Sequence, residues 1–149
     1  MAGFIYPTGG GGFTPQIATM VTAETRPYGP TSTHTLRVDG TVTDPTHLVT
    51  KTGVYGLAFS KAGIYEITVS ATGAGSYVAA AWWTLGASIN TGRTKTTIYA
   101  PAGAVVPGSL AFTAHLAAGT LLHFPVTNGS SLTRSFQIKS LTIVRLSGT

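Results

Sequence analysis

The stretch FSKAGIYEITVSAT, residues 59–72, constrains the fold more than any other part of the chain. Tyr65, Ile67, Val69 and Ala71 fall on one side of it, and Glu66, Thr68 and Ser70 on the other. A period of two carried by β-branched and aromatic residues specifies a half-buried antiparallel strand. Gly63 stands just before it, where the chain must turn tightly back from Phe59. The same rhythm recurs over residues 35–38, 54–59, 77–85, 94–99, 110–116, 121–126 and 136–146. Turn signals lie between these runs: Asp39-Gly40, Asp44-Pro45, and residues 73–76, 86–92, 101–108, 117–119 and 127–133. No segment keeps a helical period. Short strands at this spacing predict an all-β sandwich or barrel.

Composition narrows what such a chain can do. With 149 residues and 43% hydrophobic side chains it can hold one domain with a real core. Only 9% of residues are charged, against about a quarter in ordinary globular domains. So uncharged a surface suits contact with neighbours better than isolation in water, and an assembly is expected. The net charge of +5 comes from nine basic residues scattered singly. Nucleic-acid binders usually cluster theirs, so no nucleic-acid partner is expected. Cysteine is absent, which excludes disulfides and thiolate chemistry. Neither a leader peptide nor a run long enough to cross a membrane is visible.

The chain divides near His34. Residues 1–33 are rich in Gly, Pro and Thr, with four glycines at 9–12, and are expected to form an extended N-terminal arm. The glycine run lacks a following Gly-Lys-Ser/Thr, so it reads as a hinge, not a phosphate cradle. Phe4, Ile5, Tyr6, Phe13, Ile17 and Met20 are the apolar anchors by which the arm would hold a partner surface. Residues 34–149 form the β-sandwich domain.

Three motifs in that domain resemble one family. Phe59, Gly63 and Tyr65 give the spacing Phe-x-x-x-Gly-x-Tyr. The run FTAHLAAGTLLHF, residues 112–124, sets an alternating strand, a Gly turn and a second strand in succession, with Thr120 where the family has Asp. Ser135-Phe136 opens a closing strand. In order and spacing these resemble the complement globular-head and tumour necrosis factor superfamily, over roughly residues 34–146. The resemblance implies a ten-stranded jelly roll and a threefold homotrimer. It implies no particular ligand, because one fold serves many partners.

Candidate subunit contacts follow from two strands. Trp82 and Trp83 are adjacent, so in a strand one enters the core and the other lies on the outer face. The last strand holds Phe136 and Ile138 in one phase, then Leu141 with Ile143 and Val144 with Leu146 in both. Either a bulge lies near Ser140 or both faces are buried. In a jelly-roll trimer the last strand lies near the subunit contact, which favours burial on both faces. Trp82, Trp83, Phe136, Ile138, Leu141, Ile143 and Val144 are therefore the expected trimer-interface residues.

Chemistry-bearing residues are few. The carboxylates are Glu24, Asp39, Asp44 and Glu66, in arm, turn and outward-strand contexts, and no paired acids are expected. His34, His47, His115 and His123 show no metal-ligand spacing, although His115 and His123 could meet across neighbouring strands. Asn128-Gly129-Ser130 fits a glycosylation sequon and reads as an Asn-Gly turn. No catalytic residue, cofactor or metal is expected, and the chain reads as a non-enzyme. The expected function is that of a structural virion protein, a trimeric phage capsid decoration protein. Its N-terminal arm would bind the shell of major capsid protein on the capsid exterior. The alternative is a tail fibre-tip or receptor-binding module recognising a host surface glycan or protein. A secreted ligand like the animal members of the superfamily fits less well, for want of an export signal or a collagen-like stalk.

Overall fold

The computed structural model describes residues 14–21, 23, 26–74, 81–89, 92–101, 103 and 106–148. Period-two patterning becomes strand throughout. The strands are β1 (Gln16–Val21), β2 (Arg26–Tyr28), β3 (Thr33–Thr35), β4 (Thr41–Thr43), β5 (Val49–Lys51) and β6 (Leu57–Phe59). They continue with β7 (Gly63–Ala74), β8 (Ala81–Ile89), β9 (Gly92–Ala100), β10 (Pro107–Leu116), β11 (Leu121–His123), β12 (Pro125–Asn128) and β13 (Arg134–Ser147). A first sheet runs β10-β7-β13-β1-β4, with β2 added to β13. A second runs β3-β12-β8-β11-β6-β5, with β9 on the free side of β8. All pairings in both sheets are antiparallel. Their inner faces meet in one core.

The organising strand is β7. Tyr65, Ile67, Val69 and Ala71 are fully buried, while Glu66 and Thr68 are exposed, as alternation requires. Gly63 is explained by close approach: a Cβ there would stand 2.2 Å from the Ser147 carbonyl oxygen and 2.8 Å from Arg145 Nε. Only hydrogen leaves room for the end of β13. The Phe59 and Tyr65 rings pack with centroids 4.7 Å apart, and the Tyr65 hydroxyl donates to the Lys61 carbonyl at 2.7 Å. Burial raises the Tyr65 phenol pKa above its ordinary value, partly offset by the neighbouring Arg145 guanidinium. The two family-like motifs are joined directly. Phe59 N–H donates to the Thr120 carbonyl at 2.9 Å, and Gly119 N–H to the Phe59 carbonyl at 2.7 Å. Thr120 itself donates from Oγ1 to the Ala117 carbonyl at 2.8 Å, so the turn closes on a hydroxyl instead of a carboxylate.

Several expectations are corrected. The expected boundary at His34 falls inside the sandwich, because β1 is an interior strand. Its six residues pair with β13 and three of them also with β4. Met20 and Ala18 are 2% exposed in the core, whereas Ile17 is 50% exposed on the outer face. Prolines flank this segment without interrupting it, so neither Ile17 nor Met20 belongs to a free arm. Phe4, Ile5, Tyr6 and Phe13 lie outside the described residues.

The last strand resolves its two phases by a bulge, not by burial on both faces. The register with β7 shifts between Ile138 and Ser140, so Phe136 and Ile138 before it and Leu141 and Ile143 after it all point inward. Those four are core residues of a single chain and not interface residues. Trp83 joins them at 1% exposure, 5.1 Å from the Phe136 ring. Trp82 is the outward one of the pair, at 56% exposure.

Smaller differences have local causes. The expected strand 121–126 breaks into β11 and β12 at Phe124, whose carbonyl accepts from Leu36 N–H and is followed by Pro125, which has no N–H to give. Of the expected strand 35–38 only Thr35 stays in β3, while Leu36 and Val38 leave the ladder and donate to the Phe124 and Val54 carbonyls. Tyr55 is exposed, although the alternation over residues 54–59 puts it in phase with the buried Leu57 and Phe59. Residues 86–89, read as part of a loop, belong to β8.

Candidate functional site: the two outer sheet faces

Registration of the middle of the first sheet sets outward side chains in three rows, flanked on the same sheet by the exposed His115 of β10 and the exposed Lys139 at the β13 bulge. One row is Ile17–Val144–Glu66–Thr113. The next is Thr43–Thr19–Thr142–Thr68–Ala111, and the third Thr41–Val21–Ser140–Ser70–Ser109. Of these fourteen positions only Glu66 is ionisable. Val21 is 54% exposed, and Ile17 beside it is equally open. Hydroxyls and short aliphatic side chains cover a broad sheet face, which desolvates at little cost when another surface meets it. Val144 is the one expected interface residue found here.

The outer face of the second sheet is different in kind. Along β8 and β9 the outward pairs are Trp82–Tyr99, Thr84–Thr97, Gly86–Lys95 and Ser88–Arg93. Trp82 and Tyr99 pack against each other with centroids 4.9 Å apart and rings tilted by 53°, yet both remain about half exposed. Beyond them the surface sinks into a trough of three adjoining hollows of about 440, 370 and 400 Å³. The first contains Gly86 and Pro125 between Thr84, Thr127, Arg93 and Lys95. A Cβ at Gly86 would meet Pro125 Cγ at 3.0 Å, so this glycine both lets β12 approach and keeps the hollow open. The second and third carry the trough toward His123, His34 and Tyr55. Thr33 and Thr127 share a hydrogen bond of 2.8 Å on its rim.

His115 and His123, which could have met across neighbouring strands, do not. His115 is on β10 of the first sheet and His123 on β11 of the second, because consecutive strands alternate between sheets here. His123 instead shares the trough with His34, far earlier in sequence, a neighbour that spacing could not reveal. Among the described residues no three metal-ligating side chains stand together. The described carboxylates are placed structurally. Asp39 pairs with Arg37 at 2.5 Å, and Asp44 accepts from the Leu48 and Val49 amides at 2.9 and 3.0 Å. Glu66 stands alone in its row, and Glu24 lies outside the described residues. Asn128 is fully buried at the end of β12, donating to the Gly29 and Leu132 carbonyls and accepting from Ser130 N–H. Its amide is committed to holding the turn, in keeping with the structural reading of that sequon. Among the described residues no helix is long and apolar enough to cross a membrane.

No family model and no curated protein sequence matches the chain. Solved structures do. Murine APRIL at pH 8.5 superposes with a TM-score of 0.60 at 9% identity, covering 89% of this chain and 100% of that one. The globular domain of zebrafish complement 1qA gives 0.59 at 10% identity, covering 88% and 96%. Eiger TNF from S. frugiperda gives 0.58 at 15% identity, covering 91% and 94%. At such identities the likeness speaks to fold alone: the chain is an all-β jelly roll of the kind shared by tumour necrosis factor and complement globular-head domains.

Proposed function

We propose that this chain is a non-enzymatic receptor-binding module of a virion, a homotrimer built on the outer face of the first sheet that displays the outer face of the second. The carrying observation is the contrast between those faces. One holds a single ionisable group across fourteen positions, and the other holds exposed aromatics, cations and a trough. A patch so poor in charge is suited to copies of itself, since few ionic groups have to be desolvated without a partner. Threefold symmetry comes from the family resemblance. Capsid decoration rested on an arm of 33 residues, and with β1 inside the sandwich only the segment before it is left to hold a shell. The trough favours the tail-tip reading over decoration.

Two measurements test this. Sedimentation velocity should give a trimer for the natural chain and a folded monomer for Thr142→Lys, which puts an ammonium at the centre of the uncharged face. A natural chain that stays monomeric at micromolar concentration refutes the assembly. Immunogold labelling of purified particles should mark a few copies at the tail. Dense labelling over the shell would return the chain to capsid decoration.

A further inference from the structure

The trough and the Trp82–Tyr99 pair lie on one face, in line along β8 and β9. Four residues separate Trp82 from Gly86, about 13 Å at the rise of an extended strand. An exposed aromatic platform, a hydroxyl-lined hollow and two cations therefore follow one another within the length of a short oligomer. We propose that this face binds a linear acidic polysaccharide, a proposal that rests on the receptor-binding reading above and names its ligand class.

Each part has a chemical counterpart. The apolar face of a sugar ring stacks on an exposed indole, which offers a broad rigid surface at small entropic cost. Sugar hydroxyls find donors and acceptors in Thr84, Thr127 and Thr33, whose side chains can serve as either. A uronate carboxylate or a sulfate meets Arg93 and Lys95, both exposed and, among the described residues, without a carboxylate partner. No acidic residue lines any of the three hollows. Gly86 keeps the passage clear, since any side chain there would project into it. A single-stranded nucleic acid would also stack and pair with cations. Such a ligand carries a charge on every unit and calls for a continuous basic groove, whereas the first hollow offers two cations on alternate residues of one strand. Charge at intervals, with hydroxyls between, is the pattern of an acidic saccharide.

The test is calorimetric titration of the full-length chain with a uronate hexamer in which glucuronate alternates with neutral N-acetylglucosamine, with maltohexaose as neutral control and oligodeoxythymidylate as the other polyanion. The uronate hexamer should bind, weaken with added salt, and bind more tightly than either control. Arg93→Glu with Lys95→Glu should lower its affinity by about tenfold or more, the scale of a lost charge-assisted hydrogen bond. Trp82→Ala should lower it by about tenfold as well. All three positions are exposed, so the variants should keep the circular dichroism spectrum and sedimentation of the natural chain. Equal binding of maltohexaose, tighter binding of oligodeoxythymidylate, or indifference to the charge reversal each overturns the proposal. A trimer that binds none of the three probes refutes the saccharide and leaves the assembly standing. Uronate binding by a chain found across the capsid shell would do the reverse.

Discussion

Removing β1 should unfold this domain, although its residues lie in a Gly- and Pro-rich stretch that looks dispensable. The point version is Met20→Ala. Met20 is 2% exposed above Leu57, Leu141 and Ile143, and the void beside it is only about 10 Å³, so little slack exists for the core to collapse into. Truncating a buried methionine costs about 2–5 kcal/mol. Taking ~3 kcal/mol, and about 2–4 °C of melting temperature per kcal/mol in a chain of this length, the midpoint should fall by roughly 6–12 °C. Deleting residues 1–21 removes that packing and the ladder as well. All six β1 residues pair with β13, and Thr19, Met20 and Val21 also with β4. Each ladder hydrogen bond contributes about 0.5–1.5 kcal/mol net, so the total loss rivals the ~5–15 kcal/mol that holds a whole domain together. Deleting residues 1–13 removes none of the described strands and serves as the comparison. Thermal melts by circular dichroism, with size-exclusion chromatography of each truncation, separate the cases. A chain starting at residue 22 that melted within a few degrees of the natural one would refute the placement of β1 in the sandwich.

Two further outcomes follow from the entry to β7. Gly63→Ala should cost on the order of 3 kcal/mol by urea denaturation, because its Cβ would overlap the Ser147 carbonyl at 2.2 Å and the end of β13 must shift. Tyr65 makes stability fall at alkaline pH. Its folded pKa is raised, so its contribution is complete below the ordinary value of 10.0 and is lost as pH rises through the higher folded value. Tyr65→Phe should lose about 1 kcal/mol at neutral pH with the hydrogen bond to Lys61, and show a shallower alkaline decline than the natural chain in pH-dependent denaturation.

What the sequence disclosed depended on whether a signal was local. Alternation over Tyr65, Ile67, Val69 and Ala71 gave β7, and Arg93, Lys95, Thr97 and Tyr99 alternate outward along β9 just as openly. Apolar residues in both phases around Ser140 left a bulge and burial on both faces open and favoured the latter, and only the register shift between Ile138 and Ser140 decides for the bulge. β1 stayed hidden for a physical reason. Its inward residues, Ala18 and Met20, are no more apolar than the outward Ile17 and Val21, so alternation in QIATMV points the wrong way. That reversal is itself informative, since it places aliphatic side chains where water would favour polar ones. The trough was invisible for another reason. Gly86 and Pro125 look like turn residues, and only the pairing of β8 with β12 shows that they face one another across a hollow.

The separation of the two faces bears on assembly independently of any likeness. Both sheets contribute outward positions by the same alternation, and the chain has nine basic residues to distribute. A monomer in water gains solubility wherever a charge is exposed, so solvation alone gives no reason to spare one sheet. The middle of the first sheet nevertheless keeps fourteen registered outward positions almost without charge, with Lys139 and His115 only at its margins, while β9 alone sets Arg93 and Lys95 outward on the second. Burial against another copy, as proposed above, would supply the reason, because a charge on a covered face costs several kcal/mol unless it is paired. Glu66 then becomes the informative exception. Placed beside Val144 and Thr113, it has no cation in its own row, and a neighbouring copy would have to provide one or leave it at the solvated margin. On the assembly proposed above, the fourteen positions would divide into a dry interior around Thr142 and Thr68 and a wet edge at Glu66.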